Sequence, residues 1–196
     1  MKIGVFGGCF NPPHIMHYRI CSELLKEGVV DKIIIVPTGN AYNKSGLTDI
    51  KHRIKMLELL FGKRDDIEIS NYEDLDYQIY TYQTLNHFKD VYPNDEILFI
   101  CGADNLKEIK TWKNFDSELV KFKIIVVGRN SEDVPLITSE LRNSGLNVVC
   151  VSVKSSSASS TLIREFIKKE EKNKIILNYL SKNVLQYVKD NQLYVE

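Results

Sequence analysis

Short blocks of continuous apolar residues alternate along the chain with longer stretches in which apolar residues recur every three or four positions. KIGVFG is a short block near the start, and in HIMHYRICSELLKEG the residues Ile20, Leu24 and Leu25 return at helical spacing until Gly28 stops the helix. In DKIIIVPTG, Ile33 to Val36 make a β-branched run, the pattern of a parallel strand covered on both faces. TDIKHRIKMLELLFG predicts a helix capped by Thr48 that turns Ile50, Ile54, Leu57 and Leu60 or Phe61 toward the core. IEIS, 67–70, suits a third strand, whereas the polar YEDLDYQIY shows no clear period. Thr81 to Tyr92 reads as a helix containing Leu85, Phe88 and Val91 and ending before Pro93. EILFIC, KIIVVG (123–128) and NVVCVS (147–152) supply strands four to six. Strand, helix, strand at this cadence predicts an α/β fold: a Rossmann-like open parallel sheet flanked by helices, with right-handed crossovers.

The last part of the chain changes character. Helices are expected over 160–169, around 175–179 and over 182–189, with charges of alternating sign in REFIKKEEKNK that suit a solvated face. No polar linker divides the sequence, so one domain is expected over 1–196, with 160–196 as a helical C-terminal subregion. In such a sheet, ligands bind beyond the carboxyl ends of the strands. The segments after predicted strands are GGCFNPPH, PTG, GADN, GRN and KSSSAS, five polar loops expected on one rim.

Composition narrows the partners. The 196 residues carry 26 Lys and Arg against 26 Asp and Glu, which gives no general attraction for nucleic acid or an anionic membrane surface. No apolar run approaches the ~20 residues needed to cross a bilayer. Cys9, Cys21, Cys101 and Cys150 are widely spaced with no C-x-x-C pair, and no signal peptide is evident; reduced thiols in a cytoplasmic protein are expected. A homo-oligomer is left open by the sequence.

Chemistry concentrates in GVFGGCFNPPHIMHYRI. Gly7 and Gly8 let main-chain N–H groups approach a ligand, Asn11, Pro12 and Pro13 fix a turn, and Pro13 or His14 begins a helix whose unpaired N–H groups and dipole favour an anion. His14 and His17, three apart, share one face of the first turn and can donate to phosphoryl oxygens. As zinc ligands the two histidines lack partners on that turn. Neither the P-loop pattern nor the G-x-G-x-x-G fingerprint is present. A second anion site is expected at SSTLIR, where Ser160 or Thr161 starts a helix and Arg164 follows one turn later with a planar guanidinium. Placed opposite the histidine turn, it would complete a two-sided triphosphate clamp.

GGCFNPPHIMH resembles the G-x-F-x-P-x-H-x-x-H signature of the HxGH-type nucleotidyltransferases, and SSTLIR resembles their [ST]-[ST]-T-x-x-R signature. Within that superfamily, PTGNAYNKSGLTDIKHRIKML, YTYQTLNHF, FICGADNLKEIKTWKNF, VVGR and the C-terminal LIREFIKKEEKNKIILNYLSKNVLQYVKDNQLY resemble the mononucleotide adenylyltransferases of NAD synthesis, in order and over nearly the whole chain. The resemblance implies that His14 and His17 bind ATP phosphates, that Gly7, Gly8 and Phe10 shape the nucleotide cradle, and that Lys44 reaches the phosphates from the loop after strand two. It implies further that Ser160, Thr161 and Arg164 close on them, that Gly102 and Asp104 serve the adenosine side, and that Trp112 lies against the pyridine ring. Thr81, Tyr82 and Trp112 would offer main-chain groups to the pyridine substituent. The bland reading of Trp112 is an anchor against the sheet, and that of Asp104 a helix cap. The chain departs from the family pattern at Met16, where glycine is usual and where the side chain would either lie against adenine or hold the backbone away from the phosphates. Cys9 stands where a small hydroxyl residue is usual. AYNKSGL resembles the nicotinamide-type or dual-substrate branch.

The implied reaction is attack by the 5′-phosphate of nicotinate mononucleotide on the α-phosphorus of ATP, with Mg²⁺ accompanying ATP and no protein metal ligand nominated. Nicotinamide mononucleotide and phosphopantetheine are the alternative acceptors. A dinucleotide-dependent oxidoreductase and a noncatalytic nucleotide sensor are the rival classes.

Overall fold

One parallel sheet organises the computed structural model, which describes residues 1–42, 44–105, 108–128, 133–143, 145–154 and 157–195. Its strands are β1 (Lys2–Gly8), β2 (Lys32–Pro37), β3 (Ile67–Ile69), β4 (Glu96–Gly102), β5 (Lys123–Gly128) and β6 (Val148–Ser152), in the order β3-β2-β1-β4-β5-β6. Every adjacent pair is parallel, and Val5 stands opposite Ile34 on one side and Phe99 on the other. The order reverses at β1, so the carboxyl ends of β1 and β4 open a crevice there.

Side-chain alternation sorts each strand between two cores. Ile33, Ile35, Leu98, Ile100, Ile125 and Val127 enter one cluster, while Ile34, Val36, Ile97, Phe99, Ile124 and Val126 enter the other. Helices α1 (Ile15–Lys26) and α2 (Ile50–Phe61) cover the first face, joined by α5 (Ser160–Lys168), α6 (Asn173–Ile176) and α7 (Lys182–Asp190). Helix α3 (Thr81–Val91), helix α4 (Asp133–Asn143) and the segment 109–122 cover the second. With both faces buried, the β-branched runs are the residues the sheet requires. Fully buried Ile34 truncated to Ala would cost about 2–5 kcal/mol.

Several expectations are corrected. The cap of α2 is Asp49, whose carboxylate accepts from the Lys51 N–H at 2.8 Å; Thr48 instead donates its own N–H to Asn11 Oδ1. The inward face of α2 carries Arg53 and Met56, with Ile54 only half-buried. Val91 ends α3 exposed, because the polypeptide leaves the sheet surface there. Met16 is fully buried in the first core, so it faces neither adenine nor phosphate. Helix α4 has no counterpart in the periodicity reading: Pro135 lies within its first turn, where a missing N–H is tolerated. Arg129 and Asn130 of GRN, with Ser155 and Ser156 of KSSSAS, lie outside the described residues.

Candidate active site

The turn after β1 is held in a conformation it would not choose alone. Gly8 accepts from the Thr38 N–H at 2.9 Å, and Phe10 then adopts a left-handed backbone, φ 47°, costing a non-glycine residue about 1–2 kcal/mol. The Phe10 ring folds back over Gly8, where a Cβ would lie 3.2 Å from Cζ, and meets Phe6 and His17 edge-on with centroids 5.4 and 4.9 Å apart. Burial of this ring, worth about 1.5–3 kcal/mol, offsets the backbone cost. The Asn11–Pro12 peptide is cis.

His14 is the N-cap of α1 and has extended backbone, so it departs from the helical period that placed it beside His17. Its ring is 2% exposed and stacks on His17 with centroids 3.8 Å apart. The His14 N–H donates to His17 Nδ1 at 3.0 Å. That bond makes Nδ1 an acceptor, so the neutral His17 ring carries its proton on Nε2 as a donor. Protonating Nδ1 would set two donors against each other. His17 is half-buried on the wall of a cavity of about 570 Å³.

The second predicted helix start arrives at the same wall. Ser159 caps α5, its Oγ accepting from the Leu162 N–H at 3.2 Å, which leaves Ser160 to donate its hydroxyl to the Pro12 carbonyl at 2.9 Å. Arg164 donates to the Asn11 carbonyl at 2.7 Å and to Thr161 Oγ1 at 3.3 Å. Gly7, Gly8, Phe10, His17, Lys44, Ser160, Thr161 and Arg164 all border the cavity, as do Thr81 and Trp112 farther along it. Lys44 Nζ lies 3.6 Å from Cys9 Sγ. Trp112 packs on Phe99 with centroids 5.9 Å apart, as an anchor against the sheet would, and also lines the cavity. His14, Gly102 and Tyr82 do not line it: His14 lies beneath His17, Gly102 ends β4, and Tyr82 packs against the second core. Asp104 belongs to a 3₁₀ turn, Ala103–Asn105, and its side chain lies outside the described residues; neighbouring Asn105 lines the cavity.

Among the described residues, three charged groups in or beside the site escaped the sequence reading: Lys113, which lines the cavity with Nζ 4.5 Å from the Tyr80 ring centroid, and Arg53 and Glu73. Arg53, fully buried, donates to the Thr48 carbonyl at 2.7 Å, the Cys9 carbonyl at 3.0 Å and Asn40 Oδ1 at 3.4 Å, so it ties the β1 turn to the loop before α2. Burial lowers its pKa from the usual guanidinium value. A charge at an inward position of an amphipathic helix was the available signal. Glu73, 8% exposed, borders the cavity from the unpatterned 71–80 stretch and is pushed up to about 7 by burial, against the opposing pull of hydrogen bonds from Thr84 Oγ1 at 2.6 Å and the Gly39 N–H. Gly39 is required here, since a Cβ would sit 2.1 Å from the Glu73 carbonyl oxygen. No periodicity marks Glu73.

Among the described residues, no three His, Cys, Asp or Glu side chains gather as a metal-binding group. The cavity wall is instead cationic and hydroxyl-bearing at the helix starts, suited to phosphoryl oxygens and to a metal ion carried on them.

A family model for cytidylyltransferase-like proteins matches residues 5–166. The probable nicotinate-nucleotide adenylyltransferase of Acholeplasma laidlawii is 36% identical over 193 residues, covering 98% of this chain and 97% of that protein. That of Clostridium tetani is 34% identical over 192 residues, covering 94% and 96%. Nicotinic acid mononucleotide adenylyltransferase of Plasmodium falciparum, solved in complex with NaAD, superposes with a TM-score of 0.83 over 98% of this chain and 97% of that one. At 21% identity this last likeness is one of fold.

Proposed function

The chain belongs to the cytidylyltransferase-like family, and from that premise we propose that it transfers the adenylyl group of ATP to nicotinate mononucleotide, forming nicotinate adenine dinucleotide and pyrophosphate in NAD biosynthesis. The names carried by relatives aligned end to end support the acceptor. The observation that carries the reading is the junction of the two helix starts, where Ser160 and Arg164 reach the Pro12 and Asn11 carbonyls on the wall of one cavity with His17 and Lys44.

In this reaction a 5′-phosphate oxygen of the acceptor bonds to the α-phosphorus of ATP. The bond from that phosphorus to the bridging oxygen breaks, and its electron pair leaves with pyrophosphate. A phosphate monoester is ionised near neutrality, so no general base and no covalent intermediate are needed. The residues align and stabilise instead: His17 donates from Nε2, Lys44 and Arg164 supply positive charge, and the α5 start offers Ser160, Thr161 and main-chain N–H groups. His14 acts through His17 by fixing its tautomer. A divalent metal ion such as Mg²⁺, brought in with ATP, would be held by phosphate oxygens and water rather than by this chain's side chains, and would supply neutralisation of phosphate charge. Trp112 offers a flat face to the pyridine ring, and Thr81, at the first position of α3, offers main-chain donors to the nicotinate carboxylate. Residues 1–196 act as one domain, in the cytoplasm, consistent with four free cysteines.

Incubation of the protein with Mg-ATP and, separately, nicotinate mononucleotide, nicotinamide mononucleotide or phosphopantetheine tests the reading by mass detection of the adenylylated product. Nicotinate adenine dinucleotide is expected to dominate. A higher kcat/KM for either other acceptor overturns the assignment.

A further inference from the structure

Asn11, in the turn after β1, is tied by four hydrogen bonds to distant segments, one of them from beyond α7. Its carboxamide nitrogen donates to the Gly46 carbonyl at 2.8 Å, and its backbone carbonyl accepts from Arg164. Its side-chain oxygen has two lone pairs. One accepts from the Thr48 N–H at 3.2 Å, and the other from the Tyr194 hydroxyl at 2.8 Å. Asn11 is 5% exposed, so a lone pair left bare here would not be rewetted without opening the turn.

Tyr194 reaches this position by an uncommon route. After α7 the chain turns through Gln192 and Tyr194, both left-handed, with φ 52° and 65°. Leu193 N–H donates to the Val188 carbonyl at 2.9 Å, and Leu193 and Tyr194 both pack against the first core. Left-handed backbone at two non-glycine residues persists only where the surroundings impose it. Burial raises the Tyr194 phenol to about 12, so the hydroxyl remains a donor throughout the physiological range.

Resting on the proposed adenylyl transfer, we infer that Tyr194 is a positioning residue for that reaction: its hydroxyl locks Asn11 so that the Asn11 carbonyl orients Arg164 toward the phosphates. Tyr194 touches no substrate itself. Among the described residues, of the groups holding the carboxamide of Asn11 it alone comes from beyond α5, and it makes the segment after α7 part of the active-site frame.

Tyr194→Phe removes only the hydroxyl and keeps the buried ring. Expected is a fall of about tenfold in kcat, equivalent to about 1.4 kcal/mol, with KM for nicotinate mononucleotide within about twofold of wild type. Tyr187→Phe is the control, deleting a hydroxyl of α7 that lies 2.9 Å from His52 Nδ1 and does not border the cavity; its kcat is expected to be unchanged at a similar loss of Tm. In an Arg164→Lys background, Tyr194→Phe should lower kcat by less than about threefold, because the group it orients has already changed. Amide hydrogen exchange of intact proteins should show residues 9–11 exchanging faster in Tyr194→Phe than in wild type. An unchanged kcat, a full tenfold loss in the Arg164→Lys background, or equal kcat losses in the two tyrosine variants each overturns the inference. Wild-type protein that forms no dinucleotide would sink the reaction assignment instead, and the exchange arm would still decide whether Tyr194 holds the turn.

Discussion

Replacing Glu73 with Gln should make the protein more resistant to heat above neutral pH and leave it little changed at pH 5. The folded carboxyl is held protonated to about pH 7 by burial, whereas in the unfolded chain it ionises near its ordinary value of 4.5. Between those values the unfolded state releases a proton that the folded state keeps, so stability from this group is fully present below about pH 4.5 and is lost as pH rises through 7. At about 1.4 kcal/mol for each tenfold change in proton affinity, the penalty above pH 7 is on the order of 3 kcal/mol, an upper figure because relaxation and water entry reduce it. A glutamine of the same shape escapes it: its carbonyl accepts from the Gly39 N–H, and its amide donates to Thr84 Oγ1, whose hydroxyl rotates. For a chain of this length, ~1 kcal/mol corresponds to about 2–4 °C, so a gain of roughly 5–10 °C is expected at pH 8. Scanning calorimetry of both proteins from pH 5 to 8.5 isolates Glu73, since other titrating groups cancel in the difference. Parallel Tm curves with a constant offset would refute the reasoning.

The remaining expectations concern the clamp and its support. His17→Ala and Arg164→Ala should each reduce turnover about 10²-fold, the scale of one lost transition-state donor; pyrophosphate release measures this, and full activity in either would remove that residue from the proposed role. Arg53→Ala should destabilise by about 3 kcal/mol in urea unfolding, because the Thr48 and Cys9 carbonyls would lose charged donors in a buried place; a loss under 1 kcal/mol would contradict it. Cys9 borders the cavity and Cys150 is exposed elsewhere, so saturating Mg-ATP should slow alkylation of Cys9 and leave Cys150 unaffected, read by peptide mass mapping.

What could be read without coordinates follows from how local each signal is. The strands were legible because a sheet covered on both faces needs apolar residues at consecutive positions, and Ile33 to Val36 meet that need whichever neighbours they find. The helix starts at 14 and 160 were legible because caps and anion sites use the same few residue types over three or four positions. Spacing brought the His14 and His17 rings together, 3.8 Å apart, but failed to show that His14 is the extended, buried cap and lies beneath its neighbour. It failed again where the partner is remote. Nothing near Asn11 announces that Gly46, Thr48, Arg164 and Tyr194 will converge on it, because those bonds exist only once the sheet has folded. The same holds for Glu73, whose protonation is set by burial against Gly39 and Thr84. Of the nominated groups that border the cavity, His17, Ser160, Thr161 and Arg164 came from local pattern and Lys44 and Trp112 from the family resemblance, while the groups that hold the turn in place required the fold. A scaffold drawn from five distant segments can keep Phe10 in a costly conformation because removing any one tie leaves the others intact, which is why the loss expected from Tyr194→Phe is tenfold and that from His17→Ala nearer a hundredfold.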